Sequence, residues 1–323
     1  MLLQIADVSL TLRSSDGRCL PVLEQVSLDL DCGQCLGVAG ESGSGKSVLA
    51  LGLMGLLPRS SIAALEGTMI FQGRDLMRLA EAERRSLRGQ ALAMVFQEPM
   101  SAMNPLLTLE EQVGETVAAH VAGVSSSEIR RRVVQALKRS GFAEPERFLA
   151  SYPHQLSGGM RQRAMLAMAL VLEPQLIIAD EPTTALDAAL QVQLLKELRA
   201  LVREQRHAMM FISHDLGVIR SIADRLAVMY AGVIVELGDV ATVLERPAHP
   251  YTSALIRSMP RLVQERRLPQ PIPGHLPHPD RKPAGCVFSD RCPRAQDLCR
   301  RERPSVSTLA GGQQVRCRFP EHD

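Results

Sequence analysis

The chain has 323 residues, of which 46% are hydrophobic and 22% charged, and its formal net charge is +2. That length exceeds one ordinary hydrophobic core and predicts a large domain with a smaller appendage. The balance excludes a disordered chain and offers no concentrated basic surface for nucleic acid.

In chain order, Val8-Ser9-Leu10-Thr11-Leu12, within Ile5 to Leu12, alternates apolar and polar residues with the period of a half-buried strand, and Val26 to Leu30 repeats the pattern. Cys35 to Ala39 is a short apolar strand entering a glycine-rich loop, after which Ser47 to Leu57 reads as a buried helix. Val48 to Leu57 is also the longest apolar stretch; broken by Gly52 and Gly55, it falls far short of the ~20 residues that cross a bilayer. Further apolar strands are expected at Ala91 to Phe96, Leu176 to Ala179 and Ala208 to Ile212, separated by helix-like sequence, which is the layout of a parallel sheet with crossover helices. Gln97 to Leu156 is mostly helical in pattern, with a charged stretch at Glu128 to Arg139 whose Arg130 to Arg132 reads as a solvated face. Arg225 to Gly238 predicts two strands joined at Ala231-Gly232. From about Pro247 prolines crowd the chain, so irregular backbone is expected to the end.

The start of the chain, Met1 to Leu10, carries Asp7 and has no basic segment followed by an apolar one, so it does not read as a secretory leader. Together with seven cysteines, an odd number, this argues against a disulfide framework and for thiols kept reduced.

Gly40-Glu41-Ser42-Gly43-Ser44-Gly45-Lys46-Ser47 matches the P-loop pattern between an expected strand and an expected helix. Gly40, Gly43 and Gly45 let successive backbone N–H groups converge with those of Ser42 and Ser44 on phosphate oxygens, and the helix N-terminus adds positive potential. Lys46 is expected to reach the β- and γ-phosphates, and the Ser47 hydroxyl to hold Mg²⁺. Leu176 to Ala179 runs into Asp180 and Glu181, placing two carboxylates at the carboxyl edge of a sheet. Asp180 fits water-mediated Mg²⁺ binding and Glu181 the base that polarises an attacking water.

Leu156-Ser157-Gly158-Gly159-Met160-Arg161-Gln162-Arg163 resembles the signature motif of the ATP-binding-cassette family. The resemblance implies that Ser157, Gly158 and Gly159, at the start of a helix, grip the γ-phosphate of ATP held by a facing subunit; Met160 stands where glutamine is frequent. By the same resemblance Gln97 is the glutamine that senses Mg²⁺ and water, Ala185-Leu186-Asp187 is the segment that crosses the dimer interface, and His214 is the switch histidine at the γ-phosphate. An aromatic residue that stacks on adenine is usual where this chain has Leu12, and neither Phe nor Tyr occurs before the P-loop, which predicts weaker discrimination against GTP. The fold implied is a P-loop α/β core with an antiparallel β subdomain, an inserted helical subdomain over about 98–170 and a small cysteine-containing extension. A cassette of residues 1–246 is then followed by an extension at 247–323.

Phe96-Gln97-Glu98-Pro99-Met100-Ser101-Ala102-Met103-Asn104-Pro105, Tyr152-Pro153-His154-Gln155-Leu156, Met229 to Glu236 and His249-Pro250-Tyr251-Thr252 are similar to the dipeptide, oligopeptide and nickel importer branch. That branch implies a second, non-identical ATPase subunit, two permease subunits and a substrate-binding protein, at the cytoplasmic face of the inner membrane. Cys286, Cys292, Cys299 and Cys317 resemble the extension of the peptide importers rather than the nickel importers. Four thiolates in a proline-rich segment with little core read as a metal staple, a [4Fe-4S] cluster in preference to Zn²⁺ because the spacing is wide and Pro293 follows Cys292. Reduced thiols without a metal, nickel as cargo, and a redox-sensing tail remain as alternatives. A translation-associated or DNA-repair cassette is disfavoured, since neither a second cassette nor a long heptad coiled coil is present. Cys32-Gly33-Gln34-Cys35 spells C-x-x-C, but Cys35 opens an apolar strand and is expected to be packed rather than redox-active.

Overall fold

A computed structural model describes residues 1–97, 102–183, 187–259 and 270–322. Glu98, Pro99, Met100 and Ser101, together with Ala185 and Leu186, lie outside the described residues. In chain order the first elements are β1 (Leu3–Arg13), β2 (Cys19–Leu30), β3 (Cys35–Ala39), α1 (Lys46–Met54), β4 (Ile62–Phe71), β5 (Arg74–Asp75), α2 (Glu81–Leu87) and β6 (Leu92–Val95). There follow α3 (Leu109–His120), α4 (Ser126–Arg139), α5 (Gly158–Leu170), β7 (Leu176–Asp180), α6 (Ala188–Gln205), β8 (Ala208–Ile212) and α7 (Leu216–Ile222). The chain continues through β9 (Arg225–Tyr230), β10 (Val233–Asp239), α8 (Val240–Glu245), α9 (Pro250–Arg257), α10 (Asp297–Arg301), β11 (Ser307–Thr308) and β12 (Gln314–Val315).

The residues gather into two compact units. One comprises Met1–Leu30, Cys35–Met77 and Ser213–Asp323. Its antiparallel sheet runs β2-β1-β4-β5, and Leu3, Ile5, Val8 and Leu10 of β1 turn one face inward. The same unit pairs β3 with β9 in parallel, β9 with β10 as the expected hairpin, and β10 with β12. Every residue of β3 is buried, as a parallel strand covered on both faces requires. The Asp224 carboxylate accepts the Cys35 N–H at 2.8 Å and ties the entry of β3 to the turn before β9. Cys35 is packed as expected, 1% exposed.

The other unit comprises Asp31–Gln34 and Arg78–Ile212. Its strands β6, β7 and β8 are parallel. Its helices α3, α4 and α5 share a core that includes Leu109, Val113, Val117, Val133, Leu137, Ala164 and Ala167. Thr108 caps α3 in a capping box with Glu111. Arg131 and Arg132 pair with Glu128 at 2.7 and 2.8 Å, and Arg130 with Glu110 at 2.8 Å, on the solvated side of the helices. Such exposed pairs add little stability.

Three sequence expectations are corrected. Helix α1 ends at Met54 rather than Leu57, because Gly55 takes the left-handed conformation at φ 63° and closes it. Strand β4 was not expected. The tail beyond Pro247 is not irregular throughout: His249 caps α9, its Nδ1 accepting the Tyr251 N–H at 3.0 Å with Pro250 at the first helical position, and β12 extends the β9–β10 hairpin.

Candidate functional site

In the first unit, Gly40 to Gly45 joins β3 to α1, the strand–loop–helix context that phosphate binding needs. Gly40 (φ 153°), Gly43 (φ 81°) and Gly45 (φ 105°) all adopt positive φ, and a Cβ on Gly40 would lie 2.2 Å from the Met229 carbonyl oxygen, so the loop is laid against β9. No side chain caps α1, whose N-cap is Gly45. Lys46 is 6% exposed; its Nζ donates to the Gly40 carbonyl at 2.8 Å and to the Glu41 carbonyl at 3.0 Å. This spans the loop and fixes the ammonium inside it. Ser44 is fully buried, and Ser42 and Ser47 are exposed. The Ser213 N–H donates to the Val38 carbonyl at 3.2 Å, and His214 follows, exposed, before the Asp215 carboxylate that caps α7.

In the second unit, β7 ends on Asp180, 4% exposed. Glu181 leaves the strand in the left-handed region at φ 47°, an uncommon conformation for a side chain of this size, and its N–H donates to the Ile212 carbonyl at 2.9 Å. Gln97, exposed just beyond β6, donates from Nε2 to the Glu181 carboxylate at 3.5 Å, the long end of a hydrogen bond. Ser157 is the N-cap of α5 and accepts the Met160 N–H at 3.3 Å; Gly158, exposed, and Gly159, half-buried, open its first turn. A Cβ on Gly159 would come within 2.7 Å of Leu190, so glycine lets α6 approach this turn. Asp187 caps α6, accepting from Ala189 and Leu190 at 3.0 and 2.9 Å.

The first unit thus carries a loop with a buried ammonium suited to phosphate, and the second a strained glutamate beside an amide and a serine-capped helix opened by two glycines. A family model described as "ABC transporter" matches residues 23–184, and one described as "Oligopeptide/dipeptide transporter, C-terminal region" matches 235–299. The dipeptide transport ATP-binding protein DppD of Escherichia coli (strain K12) is 42% identical over 301 residues, covering 93% of this chain and 91% of that protein. This chain belongs to the ABC transporter ATP-binding family. As an ABC ATPase it also resembles the oligopeptide transport ATP-binding protein AppD of Bacillus subtilis (strain 168), at 40% identity over 94% of this chain and 92% of that one. A dimeric ATP-binding cassette in a post-hydrolysis state with ADP and phosphate superposes with a TM-score of 0.66 at 29% identity, over 74% of this chain and 99% of that one. The α/β cassette fold is therefore as the sequence implied. No helix of the described residues is long and apolar enough to cross a membrane.

The extension presents a second feature. Cys286, Cys292, Cys299 and Cys317 line one cavity, together with His249, Phe288 and Ser289. All four are free thiols. Burial pushes the Cys286 thiol up to about 11, and burial likewise raises Cys292 and Cys317, with the neighbouring thiols adding to the shift. Among the described residues no three His, Cys, Asp or Glu side chains stand in a metal-holding group. Two buried polar atoms of this lining nonetheless have no hydrogen-bond partner: His249 Nε2 and Ser289 Oγ. Burial holds the His249 imidazole neutral, its titration pulled down to about 3, and its Nδ1 already accepts from Tyr251, so the single ring proton is on Nε2. Burial keeps Cys286, Cys292 and Cys317 as thiols, and metal binding would strip their protons and leave anionic sulfur as an acceptor for these two donors.

Sequence reasoning missed Arg291 and Glu236. The Glu236 carboxylate, 1% exposed, accepts the Ala248 and His249 N–H groups at 2.8 Å each and an amide proton of Gln313. It fastens the extension to β10. A glutamate in an otherwise apolar strand was the available signal.

Proposed function

We propose that this chain hydrolyses ATP to drive uptake of dipeptides or oligopeptides through a membrane importer. The pairing of Gln97 with the strained Glu181, alongside an intact P-loop, supports it most directly. Glu181 would orient and deprotonate the attacking water, Ser47, Gln97 and Asp180 would hold Mg²⁺, which would supply positive charge at the phosphates, and Lys46 and His214 would take up charge on the transferred phosphoryl group. Gly40, Ser42, Gly43, Ser44 and Gly45 cradle the phosphates. Ser157, Gly158 and Gly159 serve the nucleotide of a facing ATPase subunit, a non-identical one, across an interface that includes Asp187. Residues 1–246 form the cassette, with its helical subdomain at about 98–170, and 247–323 the peptide-importer extension. The partners are that second ATPase, two permeases and a substrate-binding protein, at the cytoplasmic face of the inner membrane. Leu106, 81% exposed in the helical subdomain, supports a permease contact there. Peptide rather than nickel is favoured by the match of the extension to the oligopeptide/dipeptide family.

In the same reading Cys286, Cys292, Cys299 and Cys317 hold a [4Fe-4S] cluster, with Zn²⁺ as the alternative; the donors on His249 and Ser289 support it. Bound there, the group would cross-link a segment with little core of its own. Anaerobic purification followed by absorbance, iron, sulfide and zinc analysis separates the two metals.

The decisive test of the function is Glu181→Gln. Turnover falls by about 10²–10⁴, the range for loss of a general base, while ATP accumulates with a stable dimer of ATPase subunits. Intact turnover, or nucleotide that never draws two subunits together, refutes the proposal.

A further inference from the structure

The extension is attached to the phosphate cradle through one ion pair 250 residues apart in sequence. Arg291, with its side chain 5% exposed, donates Nη1 to Glu41 Oε2 at 2.7 Å and Nη2 to Glu41 Oε1 at 3.0 Å, the two-pronged geometry that arginine alone provides. The other N–H groups of the guanidinium are also used. Nε donates to the Pro273 carbonyl at 2.7 Å, Nη2 to the Ile272 carbonyl at 3.2 Å and Nη1 to the Tyr230 hydroxyl at 3.3 Å, with the guanidinium 5.7 Å from the centre of the Tyr230 ring. A long side chain is thereby held in one conformation by five acceptors from three parts of the extension and core.

Glu41 is the second residue of the P-loop and is gripped at every polar group. Its N–H donates to the Tyr251 hydroxyl at 2.9 Å, its carbonyl accepts from Lys46 Nζ at 3.0 Å and the Ser44 N–H at 3.1 Å, and its carboxylate receives Arg291. Tyr251, Tyr230 and Phe288 pack with ring centroids 4.6 to 5.3 Å apart, so the aromatic platform under the loop includes a residue of the cysteine segment. Leu276 of the extension lies 3.3 Å from where a Cβ on Gly43 would sit.

We infer that Arg291 is a positioning residue for nucleotide binding: acting through Glu41, it holds the first half of the P-loop in its phosphate-accepting shape. A loop that must align several N–H groups on one phosphate loses affinity if it has to be ordered at the moment of binding, and the fork from Arg291 removes that cost in advance.

The test uses the full-length chain and its ATP affinity, measured by fluorescent-nucleotide displacement, together with steady-state hydrolysis. Arg291→Lys keeps the charge and loses the fork; ATP binding weakens about tenfold and KM rises more than kcat falls. Glu41→Gln isolates the loop side, since it leaves the Arg291 contacts to Ile272, Pro273 and Tyr230 in place. Removing a carboxylate near bound phosphate would by charge alone tighten ATP, so weakened binding in Glu41→Gln is the mark of positioning. The double variant binds no worse than the weaker single, because both remove one contact. Lys46→Ala serves as the reference: if it binds ATP like the unaltered chain, the P-loop assignment itself fails. If Lys46→Ala loses ATP while Arg291→Lys and Glu41→Gln bind normally, or if Glu41→Gln binds more tightly, the positioning role of Arg291 is overturned. It is overturned equally if these variants lower only the thermal midpoint and retain ATP affinity.

Discussion

Replacing Gly232 by alanine puts the packing around the phosphate cradle to a quantitative test. Gly232 lies in the β9–β10 hairpin at φ 83°, and a Cβ there would stand 1.9 Å from the Val22 carbonyl oxygen. An acceptable carbon–oxygen approach is about 3.3 Å, so strand and hairpin must part by about 1.4 Å. Two backbone hydrogen bonds are strained by that shift: across the gap the Glu24 N–H donates to the Gly232 carbonyl at 2.9 Å, and on the hairpin's other side the Gly232 N–H donates to the Ser44 carbonyl inside the P-loop at 2.8 Å. The left-handed conformation costs alanine about 1–2 kcal/mol, and the two bonds contribute about 1 kcal/mol each. A total of about 3–4 kcal/mol lowers the thermal midpoint by about 10 °C in a chain of this size. Because Ser44 is released, ATP affinity falls as well. Gly73→Ala is the control: Gly73 has φ 76° with open space around its missing Cβ, so only the conformational cost of about 1–2 kcal/mol applies and ATP affinity holds. Circular-dichroism melting and nucleotide displacement read both. A Gly232→Ala midpoint within about 2 °C of the control, less than the shift expected for one lost hydrogen bond, would refute the close approach.

Glu236→Gln places an amide N–H against backbone donors and costs about 1–3 kcal/mol at neutral pH. Burial raises the Glu236 carboxyl above its ordinary value of 4.5, so the folded chain binds this proton more readily than the unfolded one. Its stabilising contribution is full below that ordinary value and is lost as pH rises through the folded value. The stability gap between the unaltered chain and Glu236→Gln therefore widens in acid; melting curves from mildly acidic to neutral pH that show a constant gap would contradict this. Leu12, half-buried on β1 where an aromatic residue is usual, predicts that GTP competes with ATP more effectively than in cassettes with that aromatic, while strict exclusion of GTP in a displacement assay would show that base recognition comes from elsewhere.

How far the sequence could be read depended on whether the signal was local. The P-loop needed only its own eight residues and the flanking apolar strand, and β3, the loop and α1 lie where those residues pointed. Asp180 and Glu181 were legible as the end of an apolar run, but the strained φ of Glu181 was not, because it is imposed by neighbours in the fold. Strand β4 escaped because its first half, Ile62-Ala63-Ala64-Leu65-Glu66, has no strict alternation and Gly67 interrupts it. In the structure a Cβ on Gly67 would lie 2.6 Å from the Asp7 carbonyl oxygen, beside the irregular register of β1. The Gln72-Gly73 turn after Thr68-Met69-Ile70-Phe71 was the usable clue. The tail misled because proline content says where regular backbone stops and little about what short pieces between prolines do. Nothing local announced Arg291, whose partner is distant in sequence.

The described residues beyond Arg246 belong to the first unit, and removing the extension proposed at 247–323 tests how far the unit depends on them. Among the extension's polar attachments to the rest of the unit, those through Glu236, Lys282 and Arg291 differ in character. Glu236 is satisfied by Ala248, His249 and Gln313. Lys282, its side chain 6% exposed, donates to the Pro21 carbonyl at 2.6 Å and pairs with Glu24 at 2.7 Å. Arg291 forks onto Glu41. A chain truncated after Arg246 leaves the Glu236 carboxylate without these three donors and removes Phe288 and Tyr251 from the aromatic platform beneath the loop. Losing the burial of Tyr251 and Phe288 alone forfeits about 1.5–3 kcal/mol each, and the orphaned acceptor about 1–3 kcal/mol more, a sum comparable with the whole stability of many domains. The truncated chain is therefore expected to aggregate or to melt cooperatively at far lower temperature, with ATP binding lost in parallel. A soluble 1–246 fragment that binds ATP with full affinity would show instead that the cassette stands alone, and would remove the physical reason for reading the cysteine segment as part of the nucleotide machinery.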